Sequence, residues 1–138
     1  MSEIKLLALD LDGTLFTKDK QVTVENRAAL KAAEAKGVHV VITTGRPLPA
    51  ITHILEDLDL LDDKHYSVTF NGGLVQRNNG DILIKKEMSR EDLKQIYAVF
   101  QPLGLPMDVI SDGIVYGVPS KGNHSLYRQA NPALTFVD

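Results

Sequence analysis

Two carboxylates, Asp10 and Asp12, stand two residues apart at the end of an apolar run from Ile4 to Leu9, and Gly13-Thr14 follows them. An apolar run this short, bounded by a turn signal, predicts a buried parallel strand. Side chains two apart on a strand point the same way. The two carboxylates therefore converge just past the carboxyl end of that strand, where open α/β sheets place their ligands. Gly13 lets the chain turn sharply and approach a ligand closely. A carboxylate pair so placed suits Mg²⁺ and phosphate chemistry, with one carboxylate as nucleophile and the other as acid/base. Asp-Gly after a strand is also ordinary turn chemistry. An EF-hand loop fails, because its fifth, sixth and twelfth positions would be Thr14, Leu15 and Gln21, and a strand precedes it in place of a helix.

The remaining pattern extends the α/β reading. Residues 13–22 predict a turn or small hairpin. Residues 23–36 predict a helix capped by Thr23, with a periodic face of Asn26, Ala29, Leu30 and Ala33 and a stop at Gly37. Val38 to Thr43 predicts a second buried strand, 47–58 a helix with Pro47 in its first turn, and 67–70 a third strand. The order βαβαβ implies a parallel sheet with right-handed crossovers. The pattern then becomes antiparallel. Asn78-Asn79-Gly80-Asp81 signals a hairpin, Ser89 caps a helix to about Phe100, and Asp112-Gly113 signals a second hairpin. Tyr116, Tyr127 and Phe136 could line a pocket, with core packing the preferred reading.

A chain of 138 residues has room for one sizeable core. A net charge of -3 with no basic block argues against nucleic acid as the main partner. There is no cysteine, so disulfides and thiolate metal sites are excluded. No apolar stretch approaches a membrane span, and residues 1–9 are too short and charged for a secretory signal. The cytoplasm is the expected location. His39, His53, His65 and His124 lack metal-ligand spacing; His39 is expected to be structural and the others at the surface. Asn123-His124-Ser125 matches a glycosylation sequon, which has no role in a cytoplasmic chain.

Thr43-Thr44-Gly45-Arg46-Pro47 ends the second strand and opens a helix, and helix N-termini bind anions. Thr44 can add a hydroxyl donor, and Gly45 allows close backbone approach. An N-cap followed by proline explains the same residues without a ligand. Asn71-Gly72-Gly73 ends the third strand at the same edge, as a substrate contact or as a turn into the next hairpin.

Asp10-Leu11-Asp12-Gly13-Thr14, Thr44-Gly45-Arg46 and Asn71-Gly72 resemble, in order, the first two motifs and the third-strand loop of the haloacid dehalogenase superfamily, most closely its Cof-type sugar-phosphate phosphatases. The resemblance runs along nearly the whole chain and includes the start of an inserted cap near Lys85. It implies an α/β, Rossmann-like parallel core, incomplete, over residues 1–84, and the beginning of an α+β, C2-type cap over 85–138. It further implies that Asp10 attacks phosphorus to form an aspartyl-phosphate, and that Asp12 protonates the leaving alcohol and then deprotonates water. Mg²⁺ would be held by the Asp10 carboxylate and the Asp12 backbone carbonyl. Leu11, Thr44, Gly45, Arg46 and Asn71 would bind the phosphate of a small phosphorylated metabolite.

The family also uses a later lysine and a later acidic motif. No such acidic motif follows Arg46, and Lys121-Gly122 reads as a loop lysine. The chain is therefore expected to be the front part of a longer enzyme, ending inside the cap. Its first strand is expected to show an unpaired apolar edge, making an isolated chain marginal, swapped or oligomeric. The competing expectation is a non-catalytic phosphate-binding or assembly fragment. A response-regulator receiver is set aside, because its phosphorylated Asp would end the third strand near Phe70-Asn71.

Overall fold

The N-terminal apolar run forms strand β1 (Leu6–Asp10), and the second run forms β2 (His39–Thr43), in a computed structural model that describes residues 4–118, 120–121 and 125–137. The chain divides between Lys86 and Glu87 into two compact units.

In the first unit, helix α1 (Val24–Glu34) joins β1 to β2, and α2 (Thr52–Asp57) joins β2 to β3 (Tyr66–Thr69). A hairpin of β4 (Leu74–Arg77) and β5 (Ile82–Lys85) follows. The sheet order is β1-β2-β3-β4-β5, parallel across the first three strands and antiparallel thereafter. Asp10 lies opposite Thr43, and Thr43 opposite Val68, so the carboxyl ends of the parallel strands share one edge.

Both crossovers step in the same direction across the sheet, so right-handedness puts both helices on one face. That face holds the core: Leu7 and Leu9 of β1, Val40 and Ile42 of β2, Leu30 of α1, and Ile54 and Leu55 of α2. On the other face of β1, Leu6 is 56% exposed and Ala8 is also exposed. The first strand is thus half-covered, not buried on both sides, and it is an outer strand of its sheet.

Thr23 caps α1 by accepting the Asn26 N–H at 3.2 Å. The helix closes at Gly37 (φ 81), where the Val38 N–H reaches the Ala33 carbonyl at 3.1 Å. Its inner stripe is rotated from the expected one: Leu30 is buried and Arg27 and Ala33 are half-buried, while Asn26 and Ala29 face water. Arg27 lays its stem inward and sends its guanidinium to the Asp57 carbonyl at 3.0 Å and the Val22 carbonyl at 3.2 Å.

The helix expected over 47–58 is broken. A single tight turn at Leu48–Ala50 precedes α2, with Ile51 between them at φ -120, ψ 0. Pro49 disfavours the helical conformation at Leu48, and neither Pro47 nor Pro49 has an N–H to give.

In the second unit, Ser89 caps α3 (Arg90–Leu103) by accepting the Asp92 N–H at 3.0 Å. This helix runs past Phe100 to a left-handed Gly104 (φ 68). Strands β6 (Met107–Ser111) and β7 (Ile114–Val118) form a hairpin through Asp112 and Gly113, both at positive φ. A short helix α4 (Tyr127–Ala130) leads to β8 (Thr135–Val137), which pairs parallel to β7. Tyr127 and Phe136 pack edge to face at 6.4 Å, whereas Tyr116, expected in the core, is exposed. Lys121 lies along Gly104, where a Cβ would stand 2.7 Å from its Cδ, and so covers the end of α3.

His39 and His53 are exposed, and His124 lies outside the described residues. His65 is not a surface group as expected. Its Nδ1 is 2.9 Å from Asp62 Oδ1 and its Nε2 2.6 Å from Glu34 Oε1, which ties α1 to the segment before β3. Among the described residues, no helix is long and apolar enough to cross a membrane.

Candidate active site

Strand β1 stays extended through Asp10 (φ -79, ψ 155). The chain then coils through Leu11–Leu15 and closes with a bond from the Phe16 N–H to the Leu11 carbonyl at 2.9 Å. Leu11 and Leu15 are buried and anchor this turn, while Gly13 (φ 84) supplies the left-handed residue it needs. Asp10, Asp12 and Thr14 are left at the surface. The Thr14 hydroxyl donates to Asp10 Oδ2 at 3.0 Å. The side chain of Leu11 belongs wholly to the core, so only its backbone can face a ligand.

The second motif interlocks with the third. The buried Thr44 donates its N–H to the Val68 carbonyl at 2.8 Å, and its carbonyl accepts the Asn71 N–H at 3.2 Å. Its hydroxyl accepts the Arg46 N–H at 3.2 Å. Asn71 holds a left-handed backbone (φ 53), and its side chain lies over Gly45, where a Cβ would meet Oδ1 at 2.8 Å. The absent side chain at Gly45 thus lets the two loops meet. No long helix begins here, so the expected helix-terminus field is replaced by loop groups and side-chain charge.

That charge comes from Arg46. Its Nε is 2.7 Å from Asp12 Oδ2 and its Nη2 2.9 Å from Asp12 Oδ1, and it lies 6.0 Å from the Phe16 ring centroid. Lys20 also donates to Asp12 Oδ1. The Arg46 hydrogen bonds, helped by Lys20, hold the Asp12 carboxyl at about 2 against the raising effect of its partial burial. The structure therefore brings the first motif to the second through Asp12–Arg46, and the second to the third through Thr44, Gly45 and Asn71.

Lys20 and Phe16 are the groups that sequence reasoning missed. Lys20 carried no signal beyond its place in the predicted turn, because its partner is chosen by turn geometry. Among the described residues, no three His, Cys, Asp or Glu side chains are grouped to hold a metal. Asp10 and Asp12 offer hard oxygen donors of the kind Mg²⁺ takes, and that ion commonly fills its other positions with water and substrate phosphate.

A match to the haloacid dehalogenase-like hydrolases covers residues 7–135. A protein of Streptococcus pyogenes serotype M6, named as a candidate phosphatase, is 40% identical over 82% of this chain and 42% of its own length. A Bacillus subtilis protein named 5-amino-6-(5-phospho-D-ribitylamino)uracil phosphatase YcsE is 35% identical over 69% of this chain and 37% of its own. The solved structure of a haloacid dehalogenase-like hydrolase from B. subtilis superposes with a TM-score of 0.73 at 28% identity, covering 83% of this chain and 39% of that one. The chain thus spans about two-fifths of the length of the curated relatives it matches. Matched along nearly all of its described length, the chain belongs to the haloacid dehalogenase-like hydrolase family.

Proposed function

We propose that this chain carries the nucleophile-bearing part of a Mg²⁺-dependent phosphomonoester hydrolase. The observation that carries the reading is the strand register, which sets Asp10 opposite Thr43 and brings Asp12, Thr44 and Asn71 to one sheet edge.

An Asp10 carboxylate oxygen attacks phosphorus. The ester P–O bond breaks, its electron pair leaves with the alcohol oxygen, and Asp12 gives that oxygen a proton. Water then attacks the aspartyl-phosphate, Asp12 takes its proton, and inorganic phosphate leaves with Asp10 regenerated. The Thr44 hydroxyl and the Gly45 N–H bind the phosphoryl oxygens, and Asn71 lines the same seat. The Asp10 carboxylate and the Asp12 backbone carbonyl would hold Mg²⁺, which when bound offsets repulsion between carboxylate and phosphate. In the free site Asp12 is ionised and clamped, so its acid step needs Arg46 and Lys20 to turn toward the incoming anion.

Small phosphoesters, sugar phosphates among them, are the substrate class. The relative named for a phosphoribityl compound supports a phosphate on a small polyol. The unit after Lys86 is the beginning of a C2-type cap, the cytoplasm is the setting, and a second copy or swapped assembly covers the open edge of β1. A second reading is phosphate binding without turnover, since among the described residues no three His, Cys, Asp or Glu side chains are grouped to hold a metal. Mg²⁺-dependent phosphate release from a phosphoester panel, beside Asp10→Asn, separates the two.

A further inference from the structure

We propose that Lys20 selects the substrate. It is a cation set on the leaving-group side of the Asp10–Asp12 site, suited to a phosphoester whose alcohol part bears a second anionic group, either carboxylate or phosphate. The inference rests on the reading of Asp12 as the group that faces the leaving alcohol.

The first observation is the backbone. The Thr17 N–H donates to the Gln21 carbonyl at 2.9 Å, and the Lys20 N–H to the Thr17 carbonyl at 3.1 Å. Lys20 sits at φ 59, the left-handed position of a short hairpin loop that glycine or asparagine fills with least strain. Its side chain is 61% exposed, so core packing does not offset that strain. A strained residue at a site edge is a reason to look for function there.

The second observation is redundancy. Arg46 already meets both Asp12 oxygens with two hydrogen bonds, yet Lys20 is placed on Asp12 Oδ1 as well. Asp12 does not need a second counter-ion to stay charged. In the proposed reaction Asp10 and Thr44 take the phosphoryl group and Asp12 takes the leaving oxygen, so a cation on Asp12 stands beside the leaving group. A lysine ammonium is a compact charge with rotatable donors on a flexible stem, able to swing from Asp12 to a substrate anion. At an exposed mouth such a contact changes discrimination more than total affinity.

The test is calorimetric binding, with Mg²⁺, of two matched pairs: phosphoglycolate against 2-hydroxyethyl phosphate, and glucose 1,6-bisphosphate against glucose 1-phosphate. The wild-type chain is compared with Lys20→Met, Lys20→Arg and Lys20→Gly. The expected result is that wild type prefers the doubly anionic member of one pair by about fivefold, the size of an exposed charge contact; which pair identifies the second group as carboxylate or phosphate. Met and Gly abolish the preference, and Arg restores most of it. Lys20→Gly relieves the positive φ, so its thermal midpoint stays at or above wild type and the loss cannot be unfolding. Equal weakening of both members, no preference in wild type, or no binding of any of the four overturns the proposal. Preference without phosphate release removes the catalytic reading and leaves selection by Lys20. Release without preference does the reverse.

Discussion

Arg46 holds Asp12 by two parallel hydrogen bonds, 2.7 Å from Nε to Oδ2 and 2.9 Å from Nη2 to Oδ1, across 34 positions of sequence. This fork is a direct side-chain link between the first and second motifs. Lysine cannot reproduce it, because it brings one point charge in place of a planar pair of donors.

Arg46→Ala is therefore expected to let the Asp12 carboxyl rise from about 2 toward its ordinary value of 3.8. Arg46→Lys is expected to fall between. Carboxyl-carbon NMR titration reads this directly, and an unchanged Asp12 would contradict the assignment of Arg46 as the main cause.

The same pair has a signed effect on stability. Asp12 is depressed in the folded chain, so its contribution is present above the unfolded value of 3.8 and is lost as pH falls toward 2. Its side chain is 39% exposed, and screening reduces the contribution to under about 1 kcal/mol. Urea melts at pH 6 and pH 3 should show wild type losing part of that contribution beyond what Arg46→Ala loses, because pH 3 lies between the folded and unfolded values.

Gly45→Ala should separate site from scaffold. A Cβ there would meet Asn71 Oδ1 at 2.8 Å, and the end of the Asn71 side chain can move aside. Stability should change by less than about 1 kcal/mol, while affinity for inorganic phosphate falls severalfold. A large stability loss with phosphate binding intact would contradict the placement of these two loops.

Asn78 is the strongest structural expectation. It is buried, accepts the Ser67 hydroxyl at 2.7 Å and donates to the Leu60 carbonyl at 2.7 Å, while its own N–H reaches the His65 carbonyl at 3.0 Å. Asn78→Ala leaves the buried Ser67 hydroxyl without its acceptor, while the Leu60 carbonyl keeps the Asp62 N–H at 3.2 Å, at a cost of about 1–3 kcal/mol. Equilibrium unfolding in urea measures it, and a loss near zero would mean that the hairpin does not depend on this network.

Much of this was legible in the chain because it is local. Strand period and the Asp-Gly turn place Asp10 and Asp12, and parallel register brings Thr44 and Asn71 to the same edge. The capping residues Thr23 and Ser89 declare their helices for the same reason. What could not be read are partnerships chosen by the folded surface. The Arg27 and Glu34 contacts rotate α1 from its apolar pattern, and His65 finds carboxylates on two segments. The strand β8 was missed because its three residues are too short to show a period. Lys20 looked like any turn lysine until the turn aimed it at Asp12.

The measurement that bears most directly on the central claim is phosphate release from small phosphoesters by this chain, with and without Mg²⁺, beside Asp10→Asn. The account predicts release that requires Mg²⁺, disappears on chelation, and is lost in the mutant while its urea midpoint is retained. Release that survives in Asp10→Asn would contradict Asp10 as nucleophile, and a folded wild-type chain that releases none with any substrate would leave phosphate binding without turnover as the function.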